Sequence, residues 1–227
     1  MNSGEHTFNG FFPKTLEFLC NLKANNNKEW FEAHKQEYQE YLLVPLQNLA
    51  ADLSADMLAI DSLLVVGPKT VSRIYRDTRF SGNKGPYKTT MWLTFKRPRQ
   101  DWMDAPAYFF EIAPSSYRYG MGFYSASPDT MRKFREMIDE KEEEFQEAIS
   151  FYPKQKTFAI EGEIYKRIIN ESKSREIQDW YQRRNLYLVC NRKIDRLIFS
   201  GELAEDMISG FNTIAPLYRY LLKLRNS

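Results

Sequence analysis

The hydrophobic period changes twice along this chain of 227 residues. Apolar residues recur at helical spacing as far as Met57, alternate at a spacing of two between residues 70 and 124, and return to helical spacing after Ser127. A chain that must bury helical faces at both ends and pleated faces in the middle is confined to α+β architectures. Phe11 to Asn25 predicts a short helix with Pro13 in its first turn and Leu16, Leu19 and Leu22 on one face. A second helix is expected from Asn26, an N-cap with Glu29 three residues on. Pro45 should break or restart it, because proline has no amide for the ladder.

Four stretches read as strands: TVSRIYRDTRF (70–80), TTMWLTFKR (89–97), AYFFEIA (107–113) and SYRYGMGFY (116–124). Ala113-Pro114-Ser115-Ser116 predicts a hairpin turn between the last two, and short connections imply a mostly antiparallel sheet. Ser127-Pro128-Asp129 is a helix start, with Met131, Phe134, Ile138, Phe145 and Ile149 on one stripe and acids on the other face. After a weakly patterned stretch from Gly162 to Arg184, Asn185 to Ile194 reads as a further strand. Ser200 then caps a last helix containing Pro216. The expectation is a flexible tail over residues 1–10 and a single α+β domain over 11–224, with a central sheet and helices from both ends packed on it.

Between Lys69 and Arg99 nine Lys and Arg face a single acid, Asp77, a local charge of +8 in a chain whose total is +2. Like charges held together destabilise a fold unless something uses them, so the segment suggests a site for an anion. If residues 71–80 are extended, Arg73, Tyr75, Asp77 and Arg79 share one face, and Ile74, Arg76 and Phe80 share the other. Asp77 would orient the guanidinium groups through charge-assisted hydrogen bonds. Arg76, among apolar neighbours, calls for a carboxylate, with Glu111 as the candidate. Ser81-Gly82-Asn83-Lys84-Gly85-Pro86 reads as a loop whose amides can face an anion. Lys84, Tyr87, Lys88 and Trp92 extend the surface. Gly120 and Gly122 mark close approach of a ligand or of another backbone.

The expected ligand-binding set is therefore Arg73, Arg76, Asp77, Arg79, Lys84, Tyr87, Lys88, Trp92, Glu111 and Gly122, for a phosphorylated or carboxylated small molecule. A nucleotide, a sugar phosphate and a short single strand all fit this chemistry. The overall charge disfavours tight duplex binding. One alternative is a phosphate-directed enzyme with Asp77 or Glu111 as general base or metal ligand. Another is a purely architectural cluster in which the arginines only knit the sheet.

Other chemistries lack their residues. There is no phosphate-binding Gly-x-x-x-x-Gly-Lys-Ser/Thr, no Gly-x-Gly-x-x-Gly and no Gly-x-Ser-x-Gly. His6 and His34 have no thiols or carboxylates at zinc-site spacing, so no metal is expected. Cofactor, catalytic residues and oligomeric state stay open. Cys20 and Cys190 read as two core thiols in a reducing compartment. With no secretory leader and no apolar run long enough to span a bilayer, a cytoplasmic protein without a membrane partner is the expectation.

The central segment also resembles an uncharacterised, largely bacterial family, the domain of unknown function 2461 family. Its Arg-x-x-Arg-Asp-x-Arg-Phe-x-x-x-Lys-x-x-Tyr motif stands here as RIYRDTRFSGNKGPY, matching Arg73, Arg76, Asp77, Arg79, Phe80, Lys84 and Tyr87. NNNKEWF resembles the family's Asn-Asn-x-x-Trp-Phe helix start. YGMGFYSASP resembles its glycine-rich hairpin, with Met121 where a third glycine is common, and FSGELAEDM and APLYRYL resemble its C-terminal part. The resemblance implies one domain of this length and carries no established activity.

Overall fold

The computed structural model describes residues 7–77, 85–98, 105–123 and 126–226. It is α+β, with a central antiparallel sheet flanked by helices, as the changes of period imply. The strands are β1 (Met91–Phe95), β2 (Ala107–Ala113), β3 (Ser116–Gly122), β4 (Ala159–Glu161) and β5 (Tyr187–Lys193), in the order β1-β2-β3-β5-β4. Two compact units are distinguished. The first holds the chain up to Phe95 with Phe109–Arg118 and Asn191–Ile208, and the second holds Lys96–Tyr108, Tyr119–Cys190 and the chain from Ser209 onward.

In the first unit, α1 (Pro13–Ala24) buries Leu19 and Leu22 of the expected face together with Thr15 and Phe18, while Leu16 is only half-buried. Cys20 lies off that face and is exposed, so it is not a core thiol, whereas Cys190 in the second unit is buried; neither is in a disulfide. Short helices follow: α2 (Lys28–Ala33), α3 (Lys35–Tyr38), α4 (Val44–Asp52) and α5 (Ser54–Ile60). The N-cap of α2 is Asn27, whose side chain accepts from the Trp30 amide, and not Asn26. Pro45 restarts the helix through a π-turn at Gln39–Leu43, where the Val44 amide reaches back to the Gln39 carbonyl. Pro45 has no amide for the carbonyl four residues earlier, that of Tyr41. The buried Thr15 hydroxyl of α1 donates to that carbonyl instead, at 2.5 Å.

Residues 7–11 are tied down in the same unit. Thr7 and Phe8 amides donate to the Asp52 carboxylate at 3.1 and 2.9 Å, and the Phe11 amide to the Ile198 carbonyl at 2.8 Å. Gly10, at φ +100°, lies so close to Phe199 that a Cβ would stand 2.3 Å from its carbonyl carbon. Only glycine meets both conditions. Residues 1–6 of the expected tail lie outside the described residues.

Over residues 70–77, the described part, the expected strand does not form. Residues 71–77 make isolated antiparallel bridges, Val71 with Leu93 and Tyr75 with Tyr87, and residues 78–80 lie outside the described residues. Near the C-terminal side of this unit, the Tyr117 hydroxyl donates to Asp195 at 2.9 Å. Arg192 joins Asp195 at 3.1 Å to Asp206 at 3.3 Å.

In the second unit, α6 (Pro128–Glu140) is capped by Ser127, which accepts from the Thr130 amide. The apolar stripe predicted to run on as one helix is broken at Lys141 (φ −143°, ψ 66°) before α7 (Glu142–Ile149). The weakly patterned stretch contains α8 (Arg175–Tyr181), and β4 ends just before it at Glu161. Gly120 and Gly122 resolve in favour of backbone. A Cβ on Gly120 would stand 2.1 Å from the Leu188 carbonyl oxygen, and one on Gly122 2.6 Å from that of Leu186. The last helix, α9 (Glu202–Leu222), starts beside Ser200, whose hydroxyl accepts from the Glu202 amide, and contains Pro216. Among the described residues no helix is long and apolar enough to cross a membrane.

Candidate functional site

Two irregular arms, residues 71–77 and 85–95, run antiparallel in the first unit. The Ser72 amide donates to Trp92, the Lys88 amide to Ile74 and the Arg76 amide to Pro86, each at 2.8 Å. Side chains therefore alternate as in a strand even though no continuous ladder forms. Ile74 is buried while Arg73, Tyr75 and Asp77 are exposed; on β1, Met91, Leu93 and Phe95 point inward and Trp92 and Thr94 are half-exposed.

The arms bring five of the expected residues together: Arg73, Arg76, Tyr87, Lys88 and Trp92. The Lys88 ammonium donates to the Arg73 carbonyl at 2.5 Å and lies 4.2 Å over the Trp92 ring. Burial lowers the Lys88 pKa below the ordinary lysine value, and the neighbouring Arg73 and Arg76 guanidinium groups lower it further. Two guanidinium groups thus add to the cost of charging Lys88 on a half-open surface. Arg76 donates from Nε and Nη2 to the Tyr87 carbonyl at 3.4 and 3.3 Å.

Arg76 does not meet Glu111. Both Glu111 oxygens accept from Arg118, at 2.8 and 3.2 Å. In a hairpin turning at Pro114-Ser115, residues 111 and 118 stand equally far from the turn, so a cross-strand pair is the natural partner. Gly122 lies in the second unit against β5, and Arg79 and Lys84 lie outside the described residues. Among the described residues no group of three or more His, Cys, Asp and Glu is placed to hold a metal ion.

Tyr87 is a buried residue, 3% exposed, with its ring stacked on Phe31 at 4.1 Å and its hydroxyl pKa raised by that burial. The ring on the surface is Tyr75, 52% exposed and 5.5 Å from Tyr87. Asn26 completes the arrangement. Its side-chain amide donates to the Tyr87 carbonyl at 2.9 Å and accepts from the Tyr87 amide at 3.0 Å. Gly85 makes room, since a Cβ there would stand 2.9 Å from Asn26 Cγ. The NNNKEWF segment thus carries a helix cap (Asn27), a strand clamp (Asn26) and a ring platform (Phe31), all serving the basic ribbon.

A family model described as "Conserved hypothetical protein (DUF2461)" matches residues 14–220. The chain belongs to the DUF2461 family. No curated protein matches it. Two of the segments by which the sequence resembles DUF2461 proteins, NNNKEWF and RIYRDTRFSGNKGPYK, meet through Asn26 and Phe31 on one side and Gly85 and Tyr87 on the other. Asn26 and Tyr75 were absent from the expected set. The run Asn25-Asn26-Asn27, two asparagines more than a helix cap needs, was the available signal.

Proposed function

We propose that the chain binds a small phosphorylated or carboxylated anion, with nucleotides in that class, on the ribbon face that carries Arg73, Arg76 and Lys88. The observation that supports this most directly is the Lys88 ammonium, part-buried beside two guanidinium groups that disfavour its charge. An anion seated there would reverse that unfavourable balance. Arg79, Lys84 and Asp77 extend the proposed site along the same motif. Trp92 is occupied by Lys88 and Tyr87 by Phe31, so Tyr75 is the ring proposed to stack on a base. A Glu111-centred enzyme gains no support, because Arg118 holds both of its oxygens. Cys20 and Cys190, neither of them in a disulfide, are compatible with a reducing, cytoplasmic setting.

Calorimetric titration with inorganic phosphate, citrate and ATP tests the reading. Binding is expected, weakened by about 1.5–3 kcal/mol in Arg73→Ala, the range for a charged hydrogen bond. Equal affinity in the wild type, Arg73→Ala and Lys88→Met would refute it.

A further inference from the structure

In the second unit the chain after Gly162 turns four large apolar side chains outward within six residues: Ile164 (58% exposed), Tyr165, Ile168 (57%) and Ile169. Elsewhere among the described residues such side chains are spaced more sparsely, as with Leu58, Leu63 and Val65 over eight residues, which is ordinary for a protein surface. This cluster is held in place. The Tyr165 amide donates to the Gln182 carbonyl at 3.0 Å, and the Arg184 amide to the Glu163 carbonyl at 2.7 Å. The Gln182 side chain donates to the carbonyls of Tyr165 and Arg167 and accepts from the Ile169 amide. Further along, Lys173 bridges Asp139 and Glu142, 2.8 Å from each. The isoleucines are therefore presented on a braced segment that has already met its ordering cost.

Between this segment and α8 lies an open groove of about 180 Å³, lined by Ile164, Ile168, Gln178, Asp179, Gln182 and Arg183. Its surroundings are cationic. Arg135, Lys166, Arg167 and Arg183 have no carboxylate partner among the described residues, and Arg135 and Arg184 flank the Tyr165 ring at 5.7 and 5.5 Å. Arginine and tyrosine around an aliphatic pocket are the residue types that carry binding energy at protein interfaces.

We propose that this surface docks a short peptide segment of a partner protein, one pairing an aliphatic side chain, seated in the groove against Ile164 and Ile168, with a carboxylate facing Lys166, Arg167 or Arg183. Charge complementarity selects the occupant. A flat anionic bilayer would press against Glu163, which is 70% exposed, and Asp179 as much as against the cations, whereas a peptide can set its acid beside the cations alone. Addition of a strand to β4 is disfavoured because the Ile160 amide already donates to the Tyr152 hydroxyl.

The test is a random-peptide display selection on the full-length chain. Enriched sequences should pair Asp or Glu with Leu, Ile, Val or Met. A synthetic peptide so chosen should bind about tenfold or more weakly to Ile168→Asp, a change at an exposed position whose fold is checked by circular dichroism. The fully surface double variant Lys166→Glu/Arg167→Glu should select basic peptides instead. The proposal is overturned if nothing is enriched, if acids are not enriched, or if the selected peptides ignore both variants. Phosphatidylserine-vesicle binding or self-association that depends on Ile168 would overturn it as well.

Discussion

The side-chain amide of Asn26 exchanges two hydrogen bonds with the peptide of Tyr87, 61 positions away in sequence, at 2.9 and 3.0 Å. A primary amide presents a donor and an acceptor side by side, as a peptide group does, so Asn26 stands where a neighbouring strand would otherwise be. Arg76 also donates to the Tyr87 carbonyl, which leaves the Tyr87 amide as the group that depends on Asn26 alone.

Replacing Asn26 by Ala should therefore cost about 1–3 kcal/mol, the penalty for orphaning a part-buried donor. Gly85→Ala presses a methyl onto the Asn26 amide and should disturb the same clamp. Urea unfolding of the two single variants and the double variant checks this. The double variant should lose less than the sum of the singles, and strict additivity would show that they do not share one interaction.

Thr15→Val keeps the shape of a fully buried side chain and removes the hydroxyl that reaches the Tyr41 carbonyl. That carbonyl is the one Pro45 cannot serve, so about 1–3 kcal/mol should be lost. Thr15→Ser, which keeps the donor, should recover most of the hydrogen-bond share of that loss in the same denaturation assay.

Tyr117→Phe removes the hydrogen bond to Asp195. Burial alone would raise the Asp195 pKa, but the bonds from Tyr117 and Arg192 outweigh it and hold the carboxyl below its ordinary value. A carboxylate with a depressed folded-state pKa contributes stability above the unfolded value and loses it as pH falls through the folded one. The variant should be about 1–2 kcal/mol less stable near neutrality. The difference should shrink below about pH 4, where ordinary aspartates take up protons. A difference that stays constant from pH 7 to pH 3 would exclude the coupling.

Lys88 works in the opposite sense. Its pKa is lowered, so the folded state binds fewer protons than the unfolded chain between that lowered value and the ordinary one, and stability contributed by this group rises with pH across that window. Lys88→Met should leave stability near neutrality within about 0.5 kcal/mol, as surface changes generally do. It should weaken the binding of inorganic phosphate. In the wild type, saturating phosphate should move the Lys88 pKa upward, read by nuclear magnetic resonance of its side-chain carbons. No movement on saturation would place the anion elsewhere.

Residue order alone determined the α+β class, the β2–β3 hairpin, the caps at Ser127 and Ser200 and the inward face of β1. Each depends on neighbours a few positions apart, where spacing and turn chemistry carry the information. It also located the basic segment and the family motif, because both are contiguous. Counting outward from the same turn pairs Glu111 with Arg118, where the expectation had set Arg76.

Tertiary structure decided the rest. Asn26 is an equally good helix cap on paper; only the approach of Tyr87 makes it a strand clamp and passes the cap to Asn27. The period-two pattern of residues 71–77 sets which side chains face inward, yet whether hydrogen bonds join them into a ladder depends on the opposing arm. Phe31 withdraws Tyr87 into the core and leaves Tyr75 outside, and β5 takes up the space beside Gly120 and Gly122. In each case the outcome turns on a contact between residues far apart in the chain, which local periodicity does not encode.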